Sequence, residues 1–236
     1  MRRSVRRVTT DALLLRAVAY GEADVIATFL GEAEGRVSVI ARGARKGTAR
    51  LGGALEPFHT IRLGYDDRGS DVATLKEAAI RKVRVGLTQS LAALDAAGRA
   101  LRWVRHVCPP RTPEPGVFAE ATALLDGMDG EPGSARLALA AFGLRLLGEA
   151  GYGLELDRCV RCQKPCPEER PASFDSSRGG LVCRACGGGS FVLSSTERRA
   201  AKALVRGEPA SCGDDVAEHL IELVDASMAA HTGYEA

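Results

Sequence analysis

Aromatic residues are scarce. They make up 5% of the 236 residues, and Trp103 is the single tryptophan. Before residue 84 the only ones are Tyr20, Phe29, Phe58 and Tyr65, which argues against a nucleic-acid surface that reads bases one by one. Long apolar runs are missing too. The longest stretch free of Asp, Glu, Lys and Arg is Ala185 to Thr196, twelve residues that include three consecutive glycines. A membrane span needs about 18 apolar residues, so none is predicted. Asp11 and Arg16 interrupt the apolar segment after the N-terminal arginines, so no secretory core forms and a cytoplasmic location is expected.

Catalytic signatures are equally sparse. The histidines, at 59, 106, 219 and 231, form no HExxH pair. There is no GxSxG elbow, and no GxGxxG follows a strand. Gly43 to Gly47 resembles a phosphate loop in composition, but Lys46 precedes the second glycine where a Walker loop needs it to follow. These gaps exclude the common hydrolase, nucleotidase and dinucleotide classes. A non-enzymatic protein is expected.

What is present is a cysteine pattern. Cys159 and Cys162 form one CxxC pair, Cys183 and Cys186 another, with twenty residues between the pairs. Each turn can place two thiolates on one side of an ion, and two turns close a tetrahedron. One structural Zn²⁺ held by Cys159, Cys162, Cys183 and Cys186 is the expectation, with two disulfides or free thiols as the alternative. Cys166 is a possible substitute for Cys162, while Cys108 and Cys212 read as small apolar fillers. Arg158, Arg161, Arg178 and Arg184 are close enough in sequence to help stabilise thiolates. Four protein ligands leave no open position for an activated water, so the metal is architectural.

Charge divides the chain. Residues 1–84 carry 16 basic and 10 acidic side chains, and residues 85–236 carry 16 and 20. The front part reads as strands: 12–18, 25–30, 37–41, 54–63 and 72–85, separated by glycine-rich turns and by Asp66-Asp67-Arg68-Gly69. Five short strands at this spacing suggest a small barrel, with an open meander as the alternative. After Gly86 the period becomes helical. Leu87, Leu91, Leu94, Leu101 and Val104 mark one stripe. Phe118, Ala121, Leu125 and Met128 mark a second; Leu137, Ala141, Leu144 and Leu147 a third. Ser194 and Glu197 have capping-box spacing at the start of another helix, and Val216, Leu220, Leu223 and Ser227 mark the last. The expected class is α+β: a nucleic-acid-binding domain over 1–84, then a helical domain over 85–236 with a zinc-binding insert at 158–190.

The front part also carries a basic loop. Arg42, Arg45, Lys46 and Arg50 fall within nine residues that contain no acid. Arg6 and Arg7 lie ahead of them, and Arg81, Lys82 and Arg84 end the strand region. Such cations, with glycine allowing close approach, suit a phosphate backbone. All nine are candidate DNA contacts. The bland alternative is a solvated hairpin.

Several short motifs then fall in a specific order. They are Arg16 with Tyr20-Gly21-Glu22 and Asp24, Gly35-Arg36, Ala41-Arg42-Gly43-Ala44-Arg45-Lys46, and Pro57-Phe58. Leu146-Leu147-Gly148 with Gly151-Tyr152 follows before the first CxxC, and Leu193-Ser194 after the second. In this order they resemble the RecO family of bacterial DNA repair proteins, over most of the chain and least over 108–135. The resemblance implies an N-terminal OB-fold, binding of single- and double-stranded DNA, and annealing of complementary strands in the RecF pathway. It implies work with RecR to load RecA on strands coated by SSB, contact with the SSB C-terminal tail, and a nucleoid-associated place in the cytoplasm. Some members lack the four cysteines, so zinc does not carry the family's chemistry. The alternative function is a zinc-stabilised nucleic-acid-binding or interaction adaptor, for example in transcription.

Overall fold

The computed structural model describes residues 5–46 and 53–234, the side chain of residue 132 excepted. The chain forms two compact units, one from residues 1–91 with 108–130, the other from 92–107 with 131–236. The helix of residues 115–130 thus groups with the strands, whereas the sequence reading put everything after residue 84 in the helical domain.

The first unit is a closed five-stranded barrel: β1 (Arg6–Tyr20), β2 (Asp24–Gly31), β3 (Gly35–Ala41), β4 (Thr60–Asp67) and β5 (Val72–Lys82), in the order β1-β2-β3-β5-β4 with β4 closing on β1. All pairs are antiparallel except β3 with β5. This is the OB-fold, and the open meander is excluded by the β1–β4 ladder. β1 serves two neighbours in turn. Residues 6–13 pair with β4 and residues 12–20 with β2, and a register shift between Leu14 and Arg16 lets the strand bend from one to the other. Val37, Val39 and Ala41 point inward and meet Ala12, Leu14, Ala27, Phe29, Ile61, Leu63, Tyr65 and Ala73. Arg36, Ser38 and Ile40 point outward, the period of two expected of a strand with one buried face.

Two strand limits differ from the sequence expectation. Residues 54–59 are turns and irregular chain, and β4 runs through Asp66 and Asp67, which read as a turn. Asp67 is tolerated at a buried position because Arg111 Nη1 donates to it at 2.5 Å and the Gly69 N–H at 2.7 Å. These donors win over desolvation, which works to raise its pKa, and hold the carboxyl below its usual range.

The segment 108–130 is strapped to this barrel at both ends. Arg36 Nε donates to the Cys108 carbonyl at 2.8 Å, and the Arg111 N–H to the Arg36 carbonyl at 2.9 Å. Gly35 sits under this strap with φ +66°, and a Cβ there would stand 1.8 Å from the Thr112 carbonyl oxygen, so only glycine fits. At the far end the buried Arg84 guanidinium donates from Nε to Asp126 at 2.8 Å and from Nη1 to the Phe58 carbonyl at 2.7 Å.

The second unit packs α1 (Leu91–Val107), α3 (Ala135–Glu149), α4 (Ser195–Val205) and α5 (Asp214–Thr232); α2 (Pro115–Gly130) is the helix held by the barrel. α3 is apolar on nearly every face, so it is the central helix. Gly143 lets it approach its neighbours closely: a Cβ there would lie 2.6 Å from the Trp103 ring and 2.8 Å from Val224. The indole N–H of Trp103 donates to Asp225 at 2.7 Å. The leucine stripe expected for α1 is corrected at its start and holds at its end. Leu91 is 83% exposed and Leu87 lies in a separate turn of 3₁₀-helix, while the buried face is Ala93, Ala96, Ala97, Ala100, Leu101, Trp103 and Val104. Between α3 and α4 lies a three-stranded ribbon, β6 (Ala172–Asp175), β7 (Gly180–Leu181) and β8 (Phe191–Leu193), in the order β7-β6-β8. Among the described residues no helix is long and apolar enough to cross a membrane.

Candidate metal centre and nucleic-acid interface

Each CxxC pair closes a tight turn. In the first, the Cys159 N–H donates to the Lys164 carbonyl at 2.9 Å and the Gln163 N–H to the Cys159 carbonyl at 2.8 Å. In the second, the N–H groups of Cys186 and Gly188 both reach the Cys183 carbonyl, and Gly187 turns the chain at φ +102°. The result gathers four sulfurs. The Sγ atoms of Cys159, Cys162, Cys183 and Cys186 all lie within 4.8 Å of one another. No disulfide joins any of the seven cysteines. Cys166 is outside the group and cannot replace Cys162; its thiol faces the Lys164 carbonyl.

The electrostatics of the four thiols are uneven. Backbone N–H groups, first that of Cys183 at 3.4 Å, draw the Cys159 thiol down to about 6. Cys186 is pushed up to about 12 by hydrogen bonding to Cys183 and then Cys162 inside the crowded group. Four negative sulfurs cannot share so small a volume without a cation, and an all-sulfur tetrahedron suits a soft or borderline divalent ion such as zinc. The donor set therefore fits the expected metal, and these four residues could hold it.

α4 anchors this segment. Its buried Arg198 spreads four hydrogen bonds over backbone carbonyls, from Nη1 to Pro167 (2.6 Å) and Arg170 (3.1 Å) and from Nη2 to Leu156 (3.0 Å) and Cys166 (2.9 Å). Lys202, one turn on, pairs with Asp157 and Glu168. The capping box at Ser194 and Glu197 forms as expected, and Glu197 also takes a hydrogen bond from His219 at 2.6 Å. Of the arginines assigned to the thiolates, Arg178 is occupied by Asp175 and Arg161 donates to the Cys186 carbonyl. Arg198 was missed by sequence reasoning. Only the capping box beside it marked that helix as special.

On the barrel, the turn after β3 is fastened to the β1–β2 turn. The Gly43 N–H donates to Asp24 Oδ1 at 2.8 Å, and the Arg45 N–H to the Ala23 carbonyl at 2.9 Å. Arg45 Nη1 also reaches the carbonyls of Gly21 and Glu22. Arg42, Arg45 and Lys46 are exposed there, and Arg50 lies outside the described residues. The other candidates are elsewhere. Arg6 and Arg7 stand at the opposite end of β1, paired with Glu34 (2.6 Å) and Asp66 (3.2 Å). Arg81 and Lys82 end β5, and Lys82 pairs with Asp126 at 2.8 Å. Arg84 is corrected: its side chain has no exposure, so it cannot meet a phosphate, and it serves the fold through Asp126. Arg16 was not among the candidates. It is exposed on β1, in register with Thr28 of β2 and, one strand further, Ser38 of β3.

Comparison with known proteins adds a family to this geometry. Residues 1–84 match the model described as recombination protein O N terminal, and residues 88–234 the model for recombination protein O C terminal. The chain is similar to the DNA repair protein RecO of Anaeromyxobacter sp. (strain K), 38% identical over 184 residues, 78% of this chain and 72% of that protein. It is similar to its counterpart in Syntrophotalea carbinolica, 36% identical over 181 residues, 75% and 69% of the two chains. The Myxococcus xanthus protein is 33% identical over 183 residues, 78% of this chain and 74% of its own length.

Proposed function

The chain belongs to the RecO family of DNA repair and recombination proteins, and on that premise we propose that it is a non-enzymatic recombination mediator. It binds single- and double-stranded DNA, anneals complementary strands, and with RecR helps load RecA on strands coated by SSB, whose C-terminal tail it contacts. One Zn²⁺ held by the four cysteines keeps the ribbon in shape. The observation that carries the reading is the acid-free turn after β3, which exposes Arg42, Arg45 and Lys46 and is hydrogen-bonded to the barrel through Gly43 and Arg45.

The chemistry is one of charge and proximity. Two strands repel through their phosphates, and SSB occupies their bases. Cations fixed on a rigid turn neutralise phosphates and release counterions without reading sequence. A separate contact with SSB raises the local concentration of the coated strand. No side chain changes a covalent bond.

The test is annealing of complementary strands coated with SSB, with and without RecR. The expected outcome is acceleration by the wild-type protein. Replacing Arg42, Arg45 and Lys46 together by Ala should weaken DNA binding for every sequence alike. The log–log salt slope should flatten by roughly 0.7 per lost single-strand phosphate contact and 0.9 per duplex contact. Absence of annealing, with DNA binding intact, would favour an adaptor.

A further inference from the structure

The chain has six phenylalanines, four tyrosines and one tryptophan, all within the described residues. Only Tyr20 is exposed. Tyr65 and Tyr234 are buried, Tyr152 stacks on His231 at 4.8 Å, Phe191 stacks on His219 at 4.5 Å, and Trp103 has no exposure. Tyr20 is 56% exposed. In a chain so poor in aromatics, a large ring left in water forgoes burial that would otherwise stabilise the fold.

Its surroundings say what the ring can meet. Tyr20 is the last residue of β1, opposite Asp24 and next to the glycine that turns the hairpin. Asp24 and the carbonyls of Gly21, Glu22 and Ala23 are the groups that hold the turn carrying Arg42, Arg45 and Lys46. The aromatic ring and the three cations are therefore fixed to the same end of the barrel. Along the strand, alternate residues share a face, so Arg16, Val18 and Tyr20 form a row, and all three are exposed. The row reads cation, apolar, aromatic. An unpaired nucleotide has the complementary parts, a flat π-face and an anionic link to the next one. A duplex hides its base faces in the stack and offers the phosphates alone.

We propose that Tyr20 is a base-stacking residue that gives the barrel its preference for single-stranded DNA over duplex. The inference rests on the DNA-binding reading above and deepens it. The cations supply affinity that both forms of DNA share, and the ring adds a contact that only unstacked bases can make. Stacking on an exposed aromatic is tolerant of sequence because every base has a π-face. One aromatic is enough to separate single strand from duplex, although too little to read a sequence.

Titration of the full-length protein with a single-stranded oligonucleotide and the matching duplex, at several salt concentrations, tests this. Tyr20→Ala should weaken single-strand binding by about tenfold and leave duplex binding within about twofold, with unchanged salt slopes because no phosphate contact is lost. Tyr20→Phe should keep wild-type affinity. Tyr20→Trp adds an emitter at an exposed site, and single-stranded DNA should quench it while the emission of the wild-type protein, from buried Trp103, stays constant. Thermal unfolding of Tyr20→Ala at the wild-type temperature shows that the fold is intact. Equal losses on single strand and duplex, or no loss on either, overturn the proposal, as does Tyr20→Phe as weak as Tyr20→Ala. The premise fails separately: a wild-type protein that binds neither DNA ends the DNA-binding reading itself, and a salt slope unmoved by replacing Arg42, Arg45 and Lys46 moves the DNA site away from this turn.

Discussion

Arg198 shows how a single residue can carry a segment. Its charge is buried among carbonyl oxygens, and among the described residues no carboxylate pairs with it. Arg198→Met would remove the donors and leave the carbonyls of Leu156, Cys166, Pro167 and Arg170 to find others. Orphaned buried acceptors cost about 1–3 kcal/mol each, partly recovered by water, so a net loss of about 3 kcal/mol is expected in denaturant unfolding. The same variant should surrender its metal to a chelator faster, because Leu156 and Cys166 flank the first ligand turn. Arg198→Lys should rescue little, since one ammonium cannot span a fork of four acceptors. Stability and metal-release rate equal to wild type would show that the clamp is idle. The sequence could not single this residue out. Arginine supplies nearly all the positive charge of the chain, so Arg84 and Arg198 look like any surface arginine until burial is known. The cysteines were legible for the opposite reason: two CxxC pairs are a local pattern, and only the choice between Cys162 and Cys166 waited for the fold.

α2 belongs with the barrel although its sequence pattern is like that of the other unit's helices. Its stripe of Phe118, Ala121, Leu125 and Met128 is buried as the period implies. Periodicity says that a helix has an apolar face, but not which unit covers it. The tie is polar: Asp126 accepts from Lys82 and Arg84 on the barrel. Burial works to raise the Asp126 pKa, yet hydrogen bonds from Lys82 and Arg84 prevail and hold it below its usual value. The native state therefore binds this proton less readily than the unfolded chain, whose carboxyl titrates near about 3.9. The stabilisation is present above that value and is lost as pH falls through the depressed native one. Asp126→Asn should be less stable than wild type at pH 7, and the difference should begin to shrink as pH falls below about 4. Unfolding midpoints from pH 7 to pH 3 check it; a gap that stays constant would assign the stabilisation to shape and not to charge. The shift of β4 has a related cause. Asp66 and Asp67 look like turn formers, and only the donors from Arg111 and Gly69 make a buried strand position possible for Asp67.

For the whole molecule, the candidate metal site and the proposed DNA contacts belong to different units: the cysteines to the second, the turn of Arg42, Arg45 and Lys46 to the first. Chelation should unravel the ribbon around 158–190 and leave the barrel folded. Metal analysis should find one zinc per chain before treatment. Afterwards circular dichroism should lose a minor part of its signal, while DNA affinity stays within about twofold and its salt slope is unchanged. Loss of DNA binding in step with loss of metal would overturn this independence. The barrel, the helices and the insert could be read in advance because each is written in a local pattern. Which chain segments combine into a unit could not, since that depends on contacts between distant residues such as Arg36 with Cys108.

The strap of 108–130 across the barrel has a consequence for the order of events at the ribosome. The five strands are complete by Lys82, but the guanidinium of Arg84 finds its carboxylate only 42 residues later in the chain. At a synthesis rate of about 5–20 residues per second, that is a wait of roughly 2–8 seconds. During it the nascent barrel carries an unmatched cation at one end and the bare Gly35 seat at the other. The first unit thus matures only after α1, a helix of the second, has already been made.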